Sequence, residues 1–546
     1  MEISELQKER SLFRPKMPKA IKGAVVAKEG TATGSAAHQD DVRKLFPNTY
    51  GMPIIEFVEG ASTCHAPINV GVILSGGQAP GGHNVIAGLF DEMKRLNSQS
   101  RLYGFLLGSG GLVDHNYMEI TAELVDEYRN TGGFDMIGSG RTKLDKEEQF
   151  EKGLQIIRKL KIKALVIIGG DDSNTNSCVL AEYYKAKDCG VQVIGCPKTI
   201  DGDLKNEYIE ASFGFDTASK VYSELIGNIE RDCNSSRKYW HFIKLMGRSA
   251  SHIALECALQ THPNICLISE EVKERKMTLD DITDIIATSV AYRASKGLNY
   301  GVVLVPEGII EFIPSIHKLI AELNDIYAEH AGEYRNLDMF GQRNYIMSKL
   351  SDENRKTFSE LPETVAVQLS LDRDPHGNVQ VSLIETEKLL SEMVGLKLRK
   401  WKEEGRYDGK YVPYHHFFGY EGRCSAPSNY DANYCYSLGV SAALLIDCGK
   451  TGYMASVRNT IAPVEDWKAG GIPLTMLLNM EKRNGRMKPV ICKALVDLEG
   501  KPFKTFAKCR ERWSKENCYV FPGPIQYWGP HEICDRTTKT LKLEHE

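Results

Sequence analysis

Two short segments concentrate side chains whose types and spacing suit phosphoryl chemistry. Asp171 and Asp172 stand in "GGDDS" (169–173), and Lys198, Asp201 and Asp203 in "PKTIDGD" (197–203). Each segment ends an apolar run, "KALVIIGG" and "VQVIGCPK", so both read as turns at strand ends, which consecutive parallel strands set side by side. Four carboxylates around one ammonium raise one another's pKa values unless a cation intervenes. A hard cation such as Mg2+, held by one or two carboxylates and by substrate phosphate oxygens, resolves the crowding. The plainer alternative is a pair of solvated turns, rich in Asp because Asp suits turns. Two such motifs on neighbouring strands favour the cation.

Further segments fit an anionic substrate. "GVILSGGQAPGGHN" (71–84) is a strand, a glycine turn containing Gly76 and Gly77, and a helix start. Glycines let backbone amides approach a phosphate, and the helix N-terminus adds partial positive charge. No Gly-Lys-Ser/Thr follows, so this is not a Walker loop. "LLGSGG" (106–111) has its third glycine misplaced for a dinucleotide fingerprint and reads as a structural turn. In "MGRSASHI", Arg248 follows a strand and can grip a phosphate with two parallel N–H groups. Glu307 in "PEG" can accept hydroxyl hydrogen bonds, and "FFGYEGRC" offers Tyr420 and Arg423. Singly each suits a solvated or salt-bridged surface; jointly they describe a pocket for a phosphorylated polyol.

The elements that must carry these loops alternate. Runs such as "NVGVIL", "RLYGFLLG", "WHFIKLMG", "ICLISE" and "YGVVLVPEG" are separated by amphipathic stretches such as "HNVIAGLFDEMKRL", which implies an α/β fold with parallel sheets. At 546 residues, two domains plus extensions are expected. Residues 1 to 65 read as an N-terminal extension, with regular elements from Asn69 onward. Long charged helical stretches between about 314 and 400 read as an insertion. A net charge of −4 gives no reason to expect nucleic acid or an anionic membrane as partner. Fourteen scattered cysteines without Cys-x-x-Cys spacing point to reduced thiols rather than disulfides or zinc. With no secretion-type apolar run and no membrane-length segment, a cytoplasmic location is expected.

In order, the motifs resemble those of the phosphofructokinase family: "GVILSGGQAPGGHN" and "GSGRT" its phosphate loops, with Gly76, Gly77, Gly140 and Arg141; "GGDDS" its metal loop; "PKTIDGD" its catalytic loop; "MGR", "PEG" and "GYEGR" its sugar-phosphate contacts. The resemblance runs from about Gly71 past Arg423. It implies two Rossmann-like doubly wound parallel-sheet domains: 66–210 with about 424–480 for the phosphoryl donor, and 211–423 for fructose 6-phosphate, with residues 481–546 as a C-terminal extension. By position, Asp201 would be the general base toward the sugar C1 hydroxyl. Asp171 and Asp203 would serve Mg2+, and Thr199 and Ile200 would lie at the transferring group. Met246, Gly247, Arg248, Glu307, Tyr420, Glu421, Gly422 and Arg423 would hold the sugar phosphate. Lys238 and Tyr239, in "SSRKYW", match positions that the family supplies from a neighbouring subunit, implying a homodimer or homotetramer.

ATP-using relatives carry glycine where Asp172 and Lys198 stand here. Asp172 would fill and repel at the nucleotide's inner phosphate, and Lys198 would meet a small, highly charged donor. The pair therefore resembles the long, pyrophosphate-using branch, whose reaction is reversible and serves glycolysis and gluconeogenesis. His83 stands where the family usually has Met, and Tyr239 and Tyr420 where bacterial ATP enzymes have Arg and His. An ATP-dependent enzyme, a noncatalytic regulatory subunit and a nicotinamide-dependent dehydrogenase are the competing readings.

Overall fold

Near-continuous apolar runs become the buried strands of two sheets. The computed structural model describes residues 4–61, 65–334, 337–361, 363–370, 383–483 and 486–546. Its strands are β1 (Val25–Ala32), β2 (Pro53–Glu59), β3 (Asn69–Leu74), β4 (Arg101–Phe105), β5 (Tyr117–Ile120), β6 (Ile162–Gly169), β7 (Gln192–Thr199) and β8 (Phe213–Gly214). After them come β9 (Trp240–Leu245), β10 (Ile265–Cys266), β11 (Gly301–Pro306), β12 (Pro413–Phe418), β13 (Tyr453–Arg458), β14 (Lys468–Pro473), β15 (Leu478–Arg483) and β16 (Arg486–Ile491). The chain forms two Rossmann-like α/β units. One comprises Met1–Ala218, Tyr420–Ala494 and Ile525–His545; the other comprises Ser219–Gly419, Leu495–Pro524 and Glu546.

In the first unit the strand order is β1-β2-β14-β13-β7-β6-β3-β4-β5, with β8 paired to β7. The middle, from β13 to β4, is parallel, and antiparallel strands close both sides. Ile73, Phe105, Leu165, Ile167, Leu180 and Val193 pack into one buried cluster on this sheet. Register aligns Leu74 with Ile168 and Gly169 with Pro197, so the turns after β3, β6 and β7 leave the sheet at a common edge. Contrary to the expectation that regular elements begin at Asn69, β1 and β2 join this sheet through β14. In β1, "VVAKEGTA", only alternate positions at the start are partly buried, so its polar pattern conceals a strand.

Two helices are locked by glycines. The helix Gly82–Leu96 begins behind the first glycine turn and packs on the helix Asn429–Asp447. A Cβ on Gly439 would lie 2.1 Å from the Val85 carbonyl oxygen, and one on Gly88 2.2 Å from that of Tyr436. Backbone therefore rests on backbone.

The second unit has a four-stranded, wholly parallel sheet, β10-β11-β9-β12. Trp240, Phe242, Val303 and Val305 pack with Ile282, Ile286 and Val290 of the helix Leu279–Ser295. Between β11 and β12 stand the helices Pro314–Tyr334, Met339–Lys349, Asp352–Glu360, Glu363–Ser370 and Thr386–Glu403. Residues 335–336, 362 and 371–382 of the expected insertion lie outside the described residues. Every described cysteine is an unbridged thiol. No described helix is long and apolar enough to cross a membrane.

Because the atoms facing Gly439 are backbone, Gly439→Ala is expected to lower stability by about 1–3 kcal/mol. A fall in the denaturant midpoint at unchanged slope reports it; an unchanged midpoint would refute the close approach.

Candidate active site

The common edge of β3, β6 and β7 collects the charged turns. Gly76, at φ +84°, bends the first turn so that its N–H donates to the Gly140 carbonyl at 2.9 Å, bringing "GSGRT" alongside. Gly108, at φ +81°, is backed by Gly140, whose nitrogen a Cβ would approach to 2.5 Å; "LLGSGG" is thus a packing turn beneath the "GSGRT" segment. Ser173 donates from its hydroxyl to Ser75 Oγ at 2.9 Å, joining the "GGDDS" turn to the first. Gly170 lies against the Lys198 carbonyl, 3.3 Å from where a Cβ would stand. Asp171 and Asp172 open the helix Asp171–Ala186, both partly buried.

Lys198 is the centre of this arrangement. Its Nζ donates to the Gly77 carbonyl at 2.7 Å, and the residue is 5% exposed. Burial lowers its ammonium to about 8, Arg423 and Arg141 pushing the same way and Asp201 and Asp171 opposing them. Arg141 itself is exposed. Arg423 donates to the Gln78 carbonyl at 3.2 Å, and its Nη2 stands 3.7 Å from Asp201 Oδ1. The structure thus places Arg423 on the first glycine turn and beside Asp201. Asp201 Oδ1 is buried and accepts no hydrogen bond, whereas its backbone N–H is held by Thr199 Oγ1 at 3.0 Å. That carboxylate is anchored from behind and has acceptor capacity for a hydroxyl proton.

Asp203 lies deeper. Burial first, then the fields of Asp201 and Asp171, push its carboxyl up to about 7, against Lys493. A carboxyl crowded enough to retain a proton fits a divalent cation as the alternative counter-charge, with Asp171 nearer the opening. Among the described residues, no group of three or more His, Cys, Asp or Glu could hold a metal ion by itself. A cation here would draw the rest of its oxygen shell from water or a bound phosphate.

Ile200 is buried within the Thr199–Asp203 turn, while Tyr420 and Glu421 are exposed beside buried Gly422. His83 is fully buried, and burial lowers its imidazole to about 3. It contacts Thr131 Oγ1 through Nδ1 at 2.7 Å and accepts the Met136 N–H through Nε2. Neutral His83 therefore fastens the segment that leads into Gly138–Arg141.

In the second unit the turns after β9 and β11 meet. Gly308 lies against the Arg248 backbone, whose oxygen would be 1.9 Å from a Cβ, and the Glu307 N–H donates to Leu245. Gly247, at φ +119°, lets the "MGR" turn reverse behind Met246. Arg248 is partly buried and Glu307 is 3% exposed. Lys238 and Tyr239 precede β9, whereas Met246 to Arg248 follow it. The strand keeps the two groups roughly 20 Å apart.

Lys493 was not anticipated. Its Nζ is 3.3 Å from Asp171 Oδ2, yet "RMKPVICKAL" carries no motif. Only the fold brings that segment to the edge.

Residues 69–344 match the family described as Phosphofructokinase. A pyrophosphate–fructose 6-phosphate 1-phosphotransferase from Porphyromonas gingivalis is 62% identical, the alignment covering 100% of this chain and 99% of that protein. The protein of that name from Treponema pallidum (strain Nichols) is 54% identical over 100% of this chain and 97% of its own. The crystal structure of a pyrophosphate-dependent phosphofructokinase from Marinobacter aquaeolei shares the fold, with TM-score 0.54 and 15% identity over 88% of this chain and 97% of that one.

Only protonated Lys198 attracts an anion, and that form is lost as the pH rises through about 8. Affinity for sulfate, an anion that does not titrate here, is expected by calorimetry to fall across this range more steeply in the wild type than in Lys198→Arg. A flat wild-type profile would remove Lys198 from the anion site.

Proposed function

The chain belongs to the phosphofructokinase family, and on that premise we propose that it transfers a phosphoryl group reversibly from pyrophosphate to the C1 hydroxyl of fructose 6-phosphate. The products are fructose 1,6-bisphosphate and phosphate. The observation that carries the donor assignment is Lys198, a buried ammonium pressed onto the glycine turn where a nucleotide site needs room.

The attacking C1 oxygen forms a bond to the transferred phosphorus as the bridging P–O bond breaks, and the hydroxyl proton passes to Asp201. Mg2+, held by Asp171 with Asp203 behind it, would neutralise charge on the phosphoryl oxygens. Lys198 and the turn at Gly76, Gly77, Gly140 and Arg141 bind the donor, and Thr199 orients the catalytic turn. Catalysis is then mostly positioning and charge neutralisation, with proton transfer as the chemical step supplied by a side chain. In the second unit Met246, Gly247, Arg248 and Glu307 would contact the sugar phosphate; in the first, Tyr420, Glu421, Gly422 and Arg423 carry the same expectation from the family motif. The separation of Lys238 and Tyr239 from Arg248 along β9 supports a sugar site shared between copies of the chain, in a homodimer or homotetramer. The substrate chemistry suits a cytoplasmic enzyme working in glycolysis and gluconeogenesis.

Offered each donor separately with fructose 6-phosphate, the chain is expected to form the bisphosphate from pyrophosphate and not from ATP. Asp172→Gly combined with Lys198→Gly should lose the pyrophosphate reaction. Turnover with ATP alone would refute the donor assignment. Asp201→Ser is expected to lower kcat by about 10²–10⁴ while leaving the KM for sugar phosphate nearly unchanged. Steady-state kinetics in which both constants worsen equally would make Asp201 a structural residue.

A further inference from the structure

Lys493 is held in place by its backbone neighbours. The Ile491 N–H donates to Thr175 Oγ1 at 3.1 Å, and that hydroxyl donates to the Asp171 carbonyl at 2.9 Å. The Cys492 N–H donates to Leu477 at 2.8 Å, and the Ala494 N–H to Asp203 at 2.7 Å. The end of the β15–β16 hairpin is thus sewn to the helix turn that bears Asp171 and to the loop that bears Asp203. The backbone bearing Lys493 is thus fixed beside both acidic turns, which sets the ammonium within reach of Asp171. Its Nζ comes to 3.3 Å from Asp171 Oδ2, both side chains being about a quarter exposed, and its charge extends to Asp203.

The charge balance around the edge gives this contact a direction. Asp171, Asp201 and Asp203 share their surroundings with Lys198, Arg423, Arg141 and Lys493. Without a ligand the site is therefore not a negative cup. A bare divalent cation meets an Asp171 already partnered, whereas a diphosphate, with its surplus of negative charge, meets cations on several sides.

We propose that Lys493 is a positioning residue that screens Asp171, so that the site takes up its divalent cation together with the diphosphate rather than before it. The inference rests on the pyrophosphate reading of the site. It assigns Lys493 opposite effects on two ligands, which a purely structural tie would not produce.

The test is a pair of binding titrations without sugar phosphate and without turnover. The first follows Mn2+ alone by paramagnetic resonance of the free ion; the second follows imidodiphosphate with Mg2+ by calorimetry. Lys493→Met is expected to bind bare Mn2+ roughly tenfold more tightly and the magnesium–imidodiphosphate complex roughly tenfold more weakly. Lys493→Gln serves as a second uncharged variant should the first not fold, and Lys493→Arg should keep both affinities near wild type. If wild type binds imidodiphosphate but the uncharged variants leave Mn2+ affinity unchanged or weaker, the inference fails alone. If wild type ignores imidodiphosphate, the donor reading fails and takes the inference with it.

Discussion

A buried ammonium cannot be left without counter-charge, and at Lys198 that requirement organises the whole edge. Its ammonium donates to the Gly77 carbonyl, which carries no net charge, so Asp171 and Asp201 supply the opposing field. Burial first, and their fields second, lead Asp203 to retain its proton to about neutrality. Arg423 restrains Asp201 and Lys493 restrains Asp171. Each charge is tolerable because of the others, so the turns that carry them function as one electrostatic object.

Such an object needs loops that approach more closely than side chains permit. The contacts of Gly76 and Gly108 with Gly140 set the turns after β3 and β4 directly against the Gly138–Arg141 segment. The contact of Gly308 with Arg248 does the same for the turns after β9 and β11 in the second unit. A Cβ would stand 2.5 Å from backbone at Gly108, 2.2 Å at Gly140 and 1.9 Å at Gly308, so a methyl group at any of these three would push its turn outward.

What could be read from the chain follows from where the information is local. Strands β3, β6 and β7 announce themselves as apolar runs, and the acidic and glycine turns behind them are contiguous in sequence. The helix face of Gly82–Leu96 is equally plain. By contrast β1, as long as β6 and β7, is largely polar and mostly exposed, so no apolar run marks it as part of a sheet. Lys493 is brought to Asp171 only by strand pairing and by Thr175, contacts between residues far apart in the chain. His83, read as a departure from a family pattern, gains its meaning from Thr131 and Met136, which no spacing rule connects to it.

The split of the first unit along the chain also bears on how it is made. Strand β7 pairs with β6 on one side and β13 on the other, and about 250 residues separate the end of β7 from the start of β13. The two-residue β8 covers only the end of β7, at Lys198 and Thr199; at ribosomal rates of about 5–20 residues per second, the rest of β7 waits on the order of 13–50 s for β13. Meanwhile Ser219–Gly419, the largest part of the other unit, is synthesised as one uninterrupted stretch. The nascent chain therefore spends that interval with a flat apolar strand open to wrong partners, and chaperone demand should be concentrated there.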